Sequence, residues 1–177
     1  MNVQPYLELS LLLLVLFAAI NDLVSRRIPN SLLLLAWLGV LPLQLLNSAP
    51  GAALAASLGG ALTGLAIFLP LYLLRGMAAG DVKLMATVGA FVGPADAFSI
   101  AMLSWCAGGV MALLIIVATG RLRSACANVG DLLRPLLMRA ARMPAAPEPM
   151  RQPSVGSMPY GVAIAAGTLT VILSRHV

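Results

Sequence analysis

Gly76-Met77-Ala78-Ala79-Gly80-Asp81-Val82-Lys83-Leu84 interrupts a long apolar sequence with small residues, then sets a carboxylate and an ammonium at the head of a new apolar run. Glycine and alanine let a backbone turn tightly or approach a neighbouring helix closely. An ionisable group at membrane depth is costly, so Asp81 reads by default as a functional residue. The competing reading is that Asp81 only caps the helix that follows, accepting its free N–H groups. A second carboxylate is needed to separate the two.

Composition places the stretch in a membrane. The chain has 177 residues, 60% hydrophobic and 10% charged, whereas soluble domains carry about 25% charged residues. This is an integral membrane protein, and one domain (1–177) by length. Its net charge of +5 comes with few aromatics and sits in loops between spans. It therefore reads as membrane topology, and no nucleic-acid partner is expected. No basic residue precedes the first apolar run, so that run is expected to be a retained span and not a signal peptide. Cys106 and Cys126 stand apart, and His176 is the single histidine. A Ser-His-Asp or Cys-His site would have to use His176, and zinc would lack its usual ligands. No metal and no cofactor are expected, and a hydrolase on this chain must work through carboxylates.

Outward from Asp81, the apolar run meets Gly93-Pro94. Twelve helical residues rise about 18 Å, against a hydrocarbon core of about 30 Å, so one end should be recessed. Asp81 is the end with a polar reason to be so. Five further spans follow from the pattern: Leu7 to Ile20, Leu32 to about Leu46, about Ala52 to Leu74, Ala97 to Thr119, and Met158 to near Leu173. In the third, Gly59, Gly60 and Gly64 offer a close-packing face. Asn30 or Ser31 is the expected N-cap of the second. The fold class is thus an all-α bundle of six transmembrane helices with one long loop, about 120–157. Wound as a helix, that loop puts Leu132, Leu133, Leu136 and Leu137 opposite Asp131, Arg134, Arg139 and Arg142. The pattern suits either a membrane surface or a solvated connector.

With six spans, the loops around 22–30, 75–83 and 120–157 share one side. Of the 11 Lys and Arg residues, all but Arg175 lie there, which assigns that side to the cytoplasm. Asp22, at the end of the first span, then lies on the same side as Asp81. Helix packing can bring the two carboxyls together. Two carboxyls in contact share a proton and titrate as a pair, so one can draw a proton from water while its partner polarises a scissile carbonyl. Placed at a helix N-terminus, Asp81 is the expected base, and Asp22 carries the proton.

At these residues the chain resembles the type IV prepilin peptidases, membrane aspartic proteases of the GxGD class. The first block reads Asp22-Leu-Val-Ser-Arg-Arg-Ile-Pro-Asn30, and the second is the stretch from Gly76 to Leu84. Pro159-Tyr160-Gly161 looks like the opening of the family's last helix. The resemblance implies Asp22 and Asp81 as catalytic residues and Gly76, Ala78, Gly80 and Lys83 as the active-site loop. Ala78 stands where the family has the first glycine of GxGD, and a positive φ there would be strained. The implied reaction is removal of the leader of prepilins and pseudopilins at the cytoplasmic face of the bacterial inner membrane. The small size is similar to the peptidases of Flp (tight-adherence) pili, and no methyltransferase activity is expected. Membrane lipids are expected partners, with pilus assembly machinery a further candidate. The alternative is a non-enzymatic scaffold or a small transporter subunit. For Arg26, Arg27 and Lys83, orientation and lipid phosphate contact are favoured over a substrate role.

Overall fold

The computed structural model describes residues 3–74, 76–120 and 158–176. Six helices form among these residues: α1 (Gln4–Ser25), α2 (Asn30–Leu45), α3 (Pro50–Leu73), α4 (Ala79–Val92), α5 (Pro94–Ala118) and α6 (Tyr160–Ser174). They fall where the apolar runs place them, and the described residues form no strand. Helices α1, α3 and α5 are long and apolar enough to cross a membrane, and α2 and α6 are apolar but shorter. The chain is an all-α membrane protein. The amphipathic pattern read in the 120–157 loop, from Asp131 to Arg142, lies outside the described residues.

Proline marks several helix starts. Pro50 and Pro94 open α3 and α5, where a missing N–H costs nothing because the first-turn N–H groups have no intrahelical acceptor. At α2 the expected cap is displaced. Pro29 holds the N-cap position, extended at φ −65°, ψ 133°, and Asn30 is already helical. The Asn30 side chain is thereby free for another partner. Helix α1 stops at Arg26, whose φ of 54° is left-handed and whose N–H bonds back to the Asp22 carbonyl.

The chain forms two compact units. One comprises residues 1–109 and 159–177, and the other residues 110–158. In the second, the described part is the end of α5 and the turn through Gly120, which has φ 65°.

Helix α4 is the core of the first unit. With 14 residues it rises only about 21 Å, and most of it, from Asp81 through Phe91, is buried. Helix α3 packs on it backbone to backbone. A Cβ added to Gly60 would collide with the Gly89 carbonyl, one added to Gly89 would collide with the Gly60 carbonyl, and one at Gly64 would strike the Met85 carbonyl. Such contacts need residues without side chains. Helix α6 lies against α1 and α4. At the helix ends remote from Asp22, Arg175 bridges Glu8 at 3.3 Å and Asp96, while His176 Nε2 lies 3.2 Å from Glu8.

Candidate active site

Asp22 lies in the last turn of α1 and Asp81 in the first turn of α4, each only 6% exposed. A buried carboxyl is costly unless its oxygens find donors, and each finds one. Asp81 is the third residue of α4, and its Oδ2 accepts the Ala78 N–H at 3.2 Å. This is one half of a capping box; Ala78 has no side-chain oxygen to supply the other half. Asp22 Oδ2 accepts the Gly161 N–H at 2.7 Å, from the first turn of α6. Two helix N-termini therefore converge, one on each carboxyl, and each presents the positive end of its peptide dipoles. Among the described residues, Oδ1 of neither aspartate accepts a hydrogen bond. The charge of Asp22 acts on Asp81.

The capping reading of Asp81 thus holds, but for one oxygen. A cap needs no second buried carboxyl, so capping does not account for Asp22.

The stretch from Gly76 to Lys83 is laid out by ordinary backbone geometry. Gly76 closes α3, its N–H bonding to the Leu71 carbonyl at 2.8 Å. Ala78 is extended at φ −83°, ψ 153°, a conformation any residue adopts without strain. The strain considered for the first GxGD position is absent. Gly80 faces Ile28, whose Cβ lies 3.4 Å from where a Gly80 Cβ would be. Lys83 Nζ donates to Asn30 Oδ1 at 3.2 Å. Trp37 Nε1 donates to Thr87 Oγ1 at 3.2 Å, which ties α2 to α4.

Next to the pair, Tyr160 seats its ring on Gly108, where an added Cβ would stand 2.7 Å from Cε2. The ring meets Phe68 edge-on at 5.8 Å, and Phe68 in turn lies 6.4 Å from Trp105. Trp105 touches Phe68 on one side and is otherwise exposed, at 38%. Sequence reasoning recognised Pro159-Tyr160-Gly161 as a helix start but did not connect it with Asp22. The signal was present: a proline before a helix leaves free N–H groups in the first turn. What no local pattern discloses is which side chain accepts them 139 residues away.

An all-helical membrane bundle with two buried carboxyls set against helix N-termini defines a class, the polytopic membrane proteins with a paired acidic site. The model of the type IV leader peptidase family matches residues 9–113, more than half of the chain and including both aspartates. The chain belongs to that family, and is a peptidase by membership. No curated protein and no solved structure matches it.

Proposed function

We propose that the chain is a prepilin leader peptidase of the Flp type, cleaving at the cytoplasmic face of the bacterial inner membrane through Asp22 and Asp81. The observation that carries this reading is the pair itself: two buried carboxyls, each with Oδ2 tied to a backbone N–H and, among the described residues, no hydrogen bond to Oδ1. With one proton between them, one carboxylate takes a proton from water as the water oxygen bonds to the scissile carbonyl carbon. The other carboxyl gives its proton to the carbonyl oxygen. Collapse of the tetrahedral intermediate breaks the C–N bond, and the amine leaves with a proton returned from the pair. Such a pair needs no metal or cofactor.

The charge distribution supports the cytoplasmic assignment, because Arg26, Arg27 and Lys83 flank the same helix ends as the two aspartates. Substrates in this reading are prepilins and pseudopilins, with a short leader followed by an apolar helix; lipids surround the bundle. Family membership weighs against a scaffold or transporter subunit.

The test is cleavage of a peptide with a short, Gly-ended leader joined to an apolar helix, reconstituted with the protein in lipid vesicles. A single cut at the junction is expected, with activity lost in Asp22→Asn and in Asp81→Asn. Wild-type cleavage by either variant would overturn the two-aspartate reading.

A further inference from the structure

Gly161 lies outside the residues matched by the family model, and no role at the aspartates has been given to it so far. We infer that Gly161 is a positioning residue for the aspartate pair: its N–H holds Asp22 as the carboxylate that takes the water proton, and its missing side chain admits Asp22 to that position. The inference rests on the paired-aspartate reading proposed above.

Three observations carry it. The Gly161 N–H reaches Asp22 Oδ2 at 2.7 Å, whereas the Ala78 N–H reaches Asp81 Oδ2 at 3.2 Å. The shorter distance is typical of a charge-assisted bond, and the donor lies at the positive end of α6. The groups facing the pair are also unequal. Arg26, at the end of α1, acts on Asp22, while Asp81 meets the like charge of Asp22 and itself opposes ionisation of the Tyr160 phenol on α6. The negative charge is better served on Asp22, which leaves the shared proton to Asp81. This is the reverse of the assignment drawn from the N-terminus of α4 alone. Finally, a Cβ on residue 161 would stand 3.0 Å from Asp22 Oδ2 and 3.1 Å from Asp22 Cβ. Any side chain there pushes the carboxyl off its donor by a few tenths of an ångström or more.

The experiment uses the full chain in lipid vesicles with the Gly-ended leader peptide. Gly161→Ala and Gly161→Val add bulk in two steps. Glycolate at position 161 replaces the N–H by an ester oxygen and adds no atom, so it tests the bond without a clash. Gly167→Ala is the control on the same helix, since its Cβ would meet Ser104 Oγ at 2.7 Å, far from the pair. The expected result is a kcat at least ~10-fold lower for Gly161→Ala and for glycolate, and lower again for Val. KM should stay within about twofold, and the pH profile of kcat should be displaced. Gly167→Ala should lower thermal stability and leave the kcat profile in place. Wild-type kcat and an unmoved profile for glycolate and Gly161→Ala would overturn the inference. So would a Gly167→Ala variant that reproduced the same kcat loss and displaced profile. Asp22→Asn separates the two levels. If it is inactive while the 161 variants are normal, only the role of Gly161 fails; if it cleaves, the aspartate mechanism fails as well.

Discussion

Lys83 Nζ and Asn30 Oδ1 meet at 3.2 Å across 53 residues of sequence, joining the block that ends Ile28-Pro29-Asn30 to the block that contains Asp81. Ile28 against Gly80 is a second link between the same two blocks. The bond is exposed, so its effect is modest, on the order of 0.5–1 kcal/mol. Lys83→Met and Asn30→Ala should each lower the melting temperature slightly and cleavage by a few fold. The double variant should be no worse than either single one. Fully additive losses in a double-mutant cycle would show that Lys83 acts elsewhere, for instance on lipid phosphate.

Ala78 offers a sharper test of the loop. Its extended backbone is open to alanine, so the family's glycine gives no conformational advantage here. Ala78→Gly should leave the cleavage rate within twofold of wild type and lower stability by about 0.4–1 kcal/mol, through the freer unfolded chain. A clear gain in activity would mean that the working loop takes a φ that alanine resists.

For the aspartates, Asn keeps size and removes the titratable proton. Asp22→Asn and Asp81→Asn should each abolish cleavage with insertion intact, and the double variant should add nothing, as for residues that act as one unit. Asp96→Asn removes the same charge at the other end of the bundle. It should cleave nearly normally yet melt a few degrees lower, because Asp96 is tied to Arg175. Loss of activity in Asp96→Asn at unchanged stability would contradict this division.

Orientation can be read by labelling. Cysteine at Ser48, in the turn between α2 and α3, should react with an impermeant thiol reagent in intact cells, and cysteine at Arg27 should not. The opposite pattern would put Asp22 and Asp81 on the outer face.

Much of this was legible in the sequence because membrane helices write themselves plainly. Apolar run length, Pro50, Pro94 and Gly93 place α3, α4 and α5 to within a few residues, since lipid forces every backbone group into helical bonds. Asp22 and Asp81 stand out as candidates from charge scarcity, and the fold buries both. The donors were not legible. Gly161 N–H to Asp22 and Lys83 to Asn30 depend on how the helices pack, and periodicity says which residues share a face without saying which faces meet. The cap of α2 was misplaced by one or two residues because an asparagine before an apolar run has the same local appearance whether it caps a helix or reaches a distant lysine.

Gly60 and Gly89 have a consequence for how the chain can change over time. In most packed interfaces a bulkier residue on one side can be accommodated by a smaller one opposite, so sequences drift in compensated pairs. Here each glycine faces the other's carbonyl, and neither partner can be made smaller. Drift at this contact has no compensating step, and α3 and α4 must change together by moving apart or not at all. Because α4 carries Asp81, moving apart would shift one half of the aspartate pair. Two glycines with no side chain of their own thereby tie the position of Asp81 to the backbone of α3.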